Sequence, residues 1–304
     1  MLDLDASVGS LPNELRIPLA AWQESLRFSC SVTRLRSLRC ELDLLMPTPE
    51  QHGPVLTGSG DFHHLSWPLI ERQCAHRPAQ RPMRVVVFDN HPDNMRFPIG
   101  VHCGSWVRRV AALPGVAHVH VVGITSADIG WAHGWENQLA PLRAGKLTYW
   151  SSGINTGWAR WFGVGHAFRS FDSLETLLAS LCDLLQSKPE PTYLSIDKDV
   201  LSEDVVRTNW DQGRLDETKL NRAISTLAGH IVGSDITGDV SAYRYRSFWK
   251  RWLSRVDAQD NRIEPVELGI WQAAHCALNQ RLVARIASAW GSEARAAMSG
   301  RAAA

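Results

Sequence analysis

Short apolar runs alternate along the chain with longer segments in which apolar residues recur at helical spacing. Residues 83–88 read MRVVVF, and residues 116–124 form a second valine-rich run, as buried strands do. Leucines in the stretch 173–186 recur every three or four residues, which predicts a helix. The same patterns predict strands at 54–57, 83–88, 116–124, 146–150, 191–196 and 231–236, and helices at 66–75, 105–113, 173–186, 217–227 and 266–290. Strands that alternate with helices indicate a parallel sheet that is covered on both faces.

The composition is that of a folded protein with no dominant charge. The 304 residues are 44% hydrophobic and 21% charged, with a net charge of +1. These values exclude a disordered chain, and they provide no general field that would attract nucleic acid or anionic lipid. The acidic start lacks the features of a secretory signal, and no apolar run is long enough for a membrane span. We expect a cytoplasmic protein with a small-molecule substrate and without a nucleic-acid or membrane partner, and a homo-oligomer is left open.

Acidic and imidazole side chains follow the predicted strands at the points where the strands end. Asp89, His91 and Asp93 follow one predicted strand, and Asp197 and Asp199 follow another. Residues two apart in an extended chain point to the same side, so the members of each group can converge on one point. Because open parallel sheets carry their chemistry beyond the carboxyl ends of the strands, we expect the two groups to lie together.

A cluster of carboxylates of this density needs a cation. Asp89, Asp93, Asp197 and Asp199 carry four negative charges, which would repel one another and raise their pKa values without a positive counterpart. Two divalent ions balance this charge, and oxygen-rich sites with one or two histidines suit Mn²⁺. Two such ions about 4 Å apart can share a hydroxide that is a nucleophile at neutral pH. Separate solvated acids are the alternative, and we favour the metal site because three strand ends carry ligand-type residues.

The same strand-end segments resemble the motifs of the ureohydrolase superfamily, which includes arginase and agmatinase. The family's GGDH, DAHxD and SxDxDxxDP motifs are similar, in the same order, to residues 60–63, 89–93 and 195–203. The resemblance covers roughly residues 54–290. It implies a three-layer α/β fold with a central, mainly parallel sheet of eight strands. We expect a single metallohydrolase domain over residues 1–290 and a flexible tail over residues 291–304.

The resemblance also implies roles for individual residues. It implies a pair of divalent metal ions, with Mn²⁺ expected and Ni²⁺ or another ion left open, held by His63, Asp89, His91, Asp93, Asp197 and Asp199. Phe62 is inserted before His63, so His64 stays open as the alternative ligand. His102 matches the position of the family's proton-shuttling histidine, and Asp197 is expected to serve catalysis by bridging the two ions.

The chain departs from the family on the substrate side, as a divergent member would. The acid that holds the guanidinium in the family matches Gly238 here, and Asp239 beside it is the nearest replacement. Asp211, in a loop that differs from the family's, is a second acid that could orient a cationic group. Tryptophan is over-represented, with 13 Trp against 4 Tyr and 8 Phe, and Trp210 could hold an apolar or cationic group. We expect Asp211, Asp239 and Trp210 to bind the substrate.

These residues predict a hydrolase of C–N bonds in guanidino, amidino or related small substrates. A metal-bridging hydroxide would attack the carbon, and His102 would protonate the leaving amine. An amide hydrolase of the related deacetylase kind, which typically uses one Zn²⁺, is an alternative on the same fold. The second carboxylate of the DxHxD segment argues against it. A non-catalytic metal-binding protein that has lost guanidinium recognition is the other alternative, and Gly238 keeps it open.

Overall fold

The structure is a computed structural model that describes residues 1–78, 80–256, 259 and 262–290. The strands are β1 (Leu2–Asp3), β2 (Ile17–Pro18), β3 (Ser29–Cys30), β4 (Val55–Ser59), β5 (Met83–Phe88), β6 (Val101–His102), β7 (Val116–Ile124), β8 (Leu147–Ser152), β9 (Phe168–Phe171), β10 (Thr192–Asp197) and β11 (Ile231–Asp239). The helices are α1 (Gln23–Leu26), α2 (Val32–Leu45), α3 (Ser66–Ala75), α4 (Val107–Ala111), α5 (Leu139–Arg143), α6 (Trp158–Trp161), α7 (Leu174–Ser187), α8 (Glu217–Thr226), α9 (Phe248–Val256) and α10 (Pro265–Ala289). The tail predicted at 291–304 lies outside the described residues.

Seven of these strands form one parallel sheet in the order β4-β11-β10-β5-β7-β8-β9. Parallel neighbours need crossover connections, and the helices between the strands provide them. In the register of the sheet, Ile196 of β10 lies beside Phe88 of β5. The segments that follow these two residues therefore leave the sheet side by side. This register brings Asp89 and Asp197 together at the carboxyl edge.

The apolar side chains of the central strands alternate between two hydrophobic clusters, one on each face of the sheet. In β5, Val85 and Val87 belong to the cluster that includes α2, α3 and α4. Val86 and Phe88 belong to the cluster that includes α7, α8 and α10. Alternation with a period of two is what a strand that is buried on both faces requires. The three-layer α/β architecture predicted from the sequence is therefore confirmed.

Helices α7 and α8, which cover one face of the sheet, begin at capping side chains. Ser173 accepts a hydrogen bond from the backbone N–H of Thr176, at 3.2 Å. Asp216 accepts one from the backbone N–H of Lys219, at 2.8 Å. Such caps satisfy amide groups of the first helical turn that have no partner inside the helix, and each contributes about 1 kcal/mol.

The sequence predictions agree with most of the observed elements. The strands predicted at 83–88 and 116–124 coincide with β5 and β7, and the helix predicted at 66–75 coincides with α3. The central sheet has seven strands within the described ranges, where the resemblance implied eight. The elements that were not predicted are β1, β2, β3, β6, β9, α1, α2, α5, α6 and α9. β9 lies at the sheet edge with none of its four residues buried, so its sequence contains no apolar run.

None of the helices in the described part of the chain is long and apolar enough to cross a membrane.

Candidate metal centre

Loops at the carboxyl ends of β4, β5 and β10 place His63 against a group of carboxylates. The Nδ1 atom of His63 lies 2.8 Å from Oδ2 of Asp93 and 3.1 Å from Oδ2 of Asp89. The Oδ2 atom of Asp197 is 3.3 Å from the same nitrogen. All four side chains are buried. A single imidazole N–H cannot neutralise three carboxylates, whereas one cation can bind all of them.

Asp89 also faces a second histidine. The Nδ1 atom of His91 lies 2.9 Å from Oδ2 of Asp199 and 3.6 Å from Oδ1 of Asp89. The two oxygens of Asp89 thus point to different histidines, Oδ2 to His63 and Oδ1 to His91. Two groups of potential ligands share Asp89: His63, Asp89 and Asp197, and Asp89, His91 and Asp199, the ligand atoms of each group lying within 4.8 Å of one another.

The electrostatics of the cluster fit a divalent cation. Burial and the nearby Asp89 carboxylate raise the pKa of Asp93 to about 7 and that of Asp199 to about 6. The pKa of Asp197 is raised well above its usual range by burial and by Asp199. The Oδ2 atom of Asp89 is buried and accepts no well-aligned hydrogen bond from the described residues. A cation would displace the retained protons and give this oxygen a partner, so the residues present fit a metal pair.

A relay behind His63 orients its imidazole towards the carboxylates. The Nε2 atom of His63 lies 3.2 Å from the Ser195 hydroxyl, which donates a hydrogen bond to Oδ1 of Asp235 at 2.7 Å. Ser66 donates to the same oxygen at 2.9 Å. With Nε2 engaged as a donor, Nδ1 is the nitrogen left to bind a metal ion. Relays of this kind fix the tautomer and direction of metal-binding histidines.

The structure brings His63, and not His64, to the carboxylates. Both residues lie in the 3-10 helix Gly60–Leu65, in which successive side chains are rotated by about 120°. His64 therefore points elsewhere, into a fully buried position where burial lowers its pKa to about 3. Phe62, the inserted residue, packs in the hydrophobic core. The tighter helix accommodates the insertion and keeps one histidine at the cluster.

Gly238 lies directly against Asp197. A Cβ atom at position 238 would come within 2.4 Å of Oδ1 of Asp197 and 2.7 Å of the backbone nitrogen of Lys198. The backbone at Gly238 also has a φ of +89°, a conformation that residues with side chains rarely adopt. No side chain fits here while Asp197 keeps its place, which explains why an acid is missing from this position.

A cavity of about 490 Å³ opens above the carboxylate cluster. All six predicted metal ligands line it, together with His102, Trp210 and Asp211. The structure thus brings these nine predicted residues to one cavity. Asp239 does not line the cavity. Its side chain forms a fully buried ion pair with Lys198, at 2.7 Å. This placement corrects the prediction that Asp239 contacts the substrate, because its carboxylate is engaged by Lys198 and by the side-chain amide of Asn279 away from the cavity.

His102 forms part of the cavity wall between two aromatic rings. Its ring makes an edge contact with Phe28, at 4.3 Å between centroids, and lies 5.3 Å from the ring of Phe97. The Nδ1 atom accepts a hydrogen bond from the backbone N–H of Gly104, at 3.0 Å. Burial lowers the pKa of His102 to about 3. The imidazole is therefore neutral at pH 7, with its proton on Nε2.

Asp211 is held next to the metal-ligand cluster by Asn90. The side-chain amide of Asn90 donates to the backbone carbonyl of Asp211 at 3.1 Å and to Oδ2 at 3.3 Å. The backbone N–H of Asn90 donates to Oδ1 of Asp199, at 3.1 Å. A single residue therefore links the exposed Asp211 carboxylate with a predicted metal ligand. This arrangement gives the cavity a negative charge outside the ligand set.

Trp210 covers Gly60 at the edge of the cavity. A Cβ atom on Gly60 would lie 3.0 Å from Cδ1 of the indole, so glycine provides the space for this ring. The indole stacks on Phe28, with centroids 6.1 Å apart and an angle of 14°. The exposed Trp131 and Trp135 belong to the segment that supplies another part of the cavity wall, but they do not line the cavity themselves.

Sequence reasoning missed the residues that support the ligands. Trp106 donates its indole N–H to Oδ2 of Asp93, at 2.6 Å. Asn90 and Asp235 take part in the contacts described above. The sequence pattern placed Asp235 at a strand end, but it lies inside β11, and the register of β10 and β11 sets it beside Ser195. Nothing in the sequence around Trp106 indicates that the indole N–H points towards Asp93.

Comparisons with known proteins begin with sequence. No protein-family model matches the chain. A protein of Thermotoga maritima that is described as uncharacterized is 29% identical over 203 residues, which are 66% of this chain and 63% of that protein. The match thus spans less than two thirds of the relative's length.

Solved structures resemble this one in fold. Proclavaminate amidino hydrolase from Streptomyces clavuligerus aligns with a TM-score of 0.50 and 18% identity, over 85% of this chain and 70% of that one. A hypothetical agmatinase from Burkholderia thailandensis aligns with a TM-score of 0.48 and 15% identity, over 85% of this chain and 66% of that one. At 18% identity, the likeness to the first structure concerns the fold.

Proposed function

We propose that this chain, which has the fold of the ureohydrolase (arginase) superfamily, is a dinuclear metal-dependent hydrolase of C–N bonds in small guanidino, amidino or related substrates. The convergence of two ligand groups on the shared carboxylate of Asp89, at the floor of a cavity, carries this proposal. Mn²⁺ is the ion that we propose, and Ni²⁺ is the second choice, since carboxylates with one histidine at each position suit such ions.

The six ligands divide into two positions. His63 and Asp93 would complete one position, and His91 and Asp199 the other, with Asp89 and Asp197 between them. Divalent ions held there would supply hydrolytic chemistry, because such ions lower the pKa of bound water and stabilise negative charge that develops in the reaction. The hydrogen bonds from His63 to Ser195 and from Ser195 to Asp235 keep the Nδ1 atom of His63 directed at the metal position that it shares with Asp93.

His102 is the proton carrier in this proposal. Because its ring is neutral at pH 7, it has to accept a proton before it can donate one. We therefore assign it two steps: uptake of a proton released when water attacks the carbon, and delivery of that proton to the leaving nitrogen. Its position in the cavity wall supports this role.

Asp211 and Trp210 would hold the remainder of the substrate. The Asp211 carboxylate, fixed by Asn90, can attract a positive charge at the end remote from the reacting carbon. The Trp210 ring offers an apolar surface and a face for cation–π contact. A cavity of about 490 Å³ suits a small molecule.

The test combines metal analysis with a substrate screen. Purified protein is loaded with Mn²⁺ or Ni²⁺, its metal content is measured, and guanidino, amidino and amide compounds are screened by urea and ammonia release. Asp197→Asn is expected to lower metal content and abolish hydrolysis, whereas the exposed Asp204→Asn should change neither. Retention of full metal content and activity by Asp197→Asn would refute this mechanism.

Amide hydrolysis at the same centre is the second candidate. Gly238 is compatible with it, because a side chain at this position would collide with Asp197 and no acid can hold a guanidinium from here. One Zn²⁺ per chain, with turnover of amides only, would establish this candidate in place of the first. Two ions without turnover of any compound class would instead favour a binding protein.

A further inference from the structure

The indole of Trp106 is directed at Asp93, one of the proposed ligands. Its Nε1 atom donates to Oδ2 of Asp93 at 2.6 Å, and the indole is fully buried. The same carboxylate oxygen faces Nδ1 of His63 at 2.8 Å. The indole N–H therefore contacts the oxygen that would bind the ion in the His63 position. A hydrogen bond to a carboxylate ligand fixes which oxygen is presented and in which direction.

The backbone of Asp93 is in a conformation that needs support. Its φ of +47° is in the left-handed region, which residues with side chains rarely occupy. The backbone N–H of Val107 donates to the Asp93 carbonyl at 3.0 Å. Trp106 and Val107 thus hold both the side chain and the backbone of Asp93. The Trp106 ring also packs at an angle against the His63 ring, with centroids 4.9 Å apart.

The second position is built differently. The side chain of His91 is 21% exposed, against 2% for His63, so the second position is open to the cavity. Asp199 there contacts His91, the other proposed ligand of that position, and accepts from the backbone N–H of Asn90, whereas Asp93 accepts from the side chain of Trp106. The indole contact therefore distinguishes the enclosed position of His63 and Asp93 from the open position of His91 and Asp199.

We propose that Trp106 is a positioning residue that holds Asp93 as a ligand and thereby sets the affinity of the enclosed metal position. This inference rests on the proposed metal centre. Trp106 touches no substrate in this assignment and acts only through Asp93. Loss of its N–H is expected to weaken the ion at the His63 position and to leave the ion at the His91 position in place.

The experiment compares two indole deletions in the full chain. Trp106→Phe removes the N–H and keeps an aromatic ring. Trp158→Phe is the matched control, because the buried Trp158 donates its N–H to the Ile129 carbonyl at 2.8 Å and does not line the cavity. Chelator-stripped proteins are titrated with Mn²⁺ against a competing chelator, and bound metal is counted after gel filtration.

Wild type and Trp158→Phe are expected to bind two ions. Trp106→Phe should keep one ion at wild-type affinity and bind the other at least about tenfold more weakly. Two ions with affinities within twofold of wild type would overturn the inference and leave the proposed function intact. If wild type itself binds no ion, the proposed function and this inference both fail.

A second variant covers the case in which Trp106→Phe does not fold, which circular dichroism of the metal-free protein would reveal. Trp106→His keeps a ring N–H and is expected to retain two ions with intermediate affinity at the enclosed position. The double variant Trp106→His with Asp93→Ala should bind no more weakly than Asp93→Ala alone, because Trp106 acts through that carboxylate. A further loss in the double variant would contradict the assignment.

Discussion

The Nζ atom of Lys198 lies 2.7 Å from Oδ1 of Asp239, and neither side chain is exposed to solvent. Asn279 of α10 accepts from Lys198 at 2.9 Å and donates to Asp239 at 2.9 Å. Burial lowers the pKa of Lys198, and Asp239 opposes this effect. Because Lys198 stands between Asp197 and Asp199, the pair connects the floor of the candidate metal centre with β11 and α10.

Breaking this pair from one side is expected to be costly. Lys198→Met would leave the Asp239 charge buried without a partner and lower the free energy of unfolding by about 3–5 kcal/mol. The double variant with Asp239→Leu should lose much less, since both charges are gone. Denaturant unfolding of the single and double variants measures the coupling. Breaking the exposed pair of Arg207 and Glu203 is the control, expected to cost no more than about 1 kcal/mol.

A methyl group at Gly238 is expected to disturb the metal centre. Gly238→Ala would combine a left-handed backbone with a collision against Asp197, so both stability and metal content should fall. Gly153→Ala is the matched control, because Gly153 has a φ of +73° and a Cβ atom added there would meet no described residue within 4 Å beyond its chain neighbours. The control should lose about 1–2 kcal/mol and no metal. Equal metal content in the two variants would show that Asp197 can move without cost.

The members of the carboxylate cluster, which we propose as metal ligands, could be predicted because their placement depends largely on local rules. Buried strands place Asp89 directly after β5 and Asp197 at the end of β10, as the strand-end pattern predicts. Asp199 also lies at the cluster, although it belongs to a 3-10 helix, Lys198–Val200, and not to extended chain as the prediction assumed. The choice between His63 and His64 depended on a 3-10 helix that the sequence does not indicate. That choice required the structure.

Other features depended on contacts between distant segments. The direction of the Asp239 side chain depends on its buried contacts with Lys198 and Asn279, which are distant in sequence or on another element. The role of Trp106 follows from the direction of one indole N–H. Strand β9 is short and at the edge, so it carries none of the apolar alternation by which strands are predicted. In each case contacts between segments that are distant in sequence determine the structure, and the local sequence pattern does not reveal them.

Low pH is expected to lower the free energy of unfolding through His275. Burial and the charge of Lys198 lower the pKa of this histidine from its usual 6.5 to about 3, and its Nε2 atom donates to the Arg207 carbonyl at 2.8 Å. Below pH 6.5 the unfolded chain binds a proton that the folded chain does not, so stability falls as pH falls towards 3. Between pH 7 and pH 5 this histidine contributes a loss of about 2 kcal/mol.

His275→Gln tests this contribution, because glutamine can still donate to the carbonyl of Arg207. Unfolding free energies at pH 7 and pH 5 should differ less in the variant than in wild type, by about 2 kcal/mol. The comparison isolates one histidine, since the other buried imidazoles are common to both proteins. An identical pH dependence in the two proteins would contradict the assignment of a low pKa to His275.

Asp211 is expected to act on substrate affinity. Asp211→Asn should raise KM about tenfold for a substrate with a positive charge remote from the reacting carbon, because a charge-assisted contact is lost. The kcat value and the metal content should stay close to wild type. A substrate analogue without the remote charge serves as the control, and its KM should not change. An equal rise for both compounds would place Asp211 outside substrate recognition.

Gly238 also limits the routes by which this scaffold can acquire new specificity. An acid cannot be introduced there by one substitution, because the new side chain would need the volume that Asp197 occupies. Two or more simultaneous changes would be required, and the first of them alone would damage the metal centre. Selection or directed evolution is therefore expected to alter substrate choice through the loop of Trp210 and Asp211, where exposed positions tolerate stepwise change.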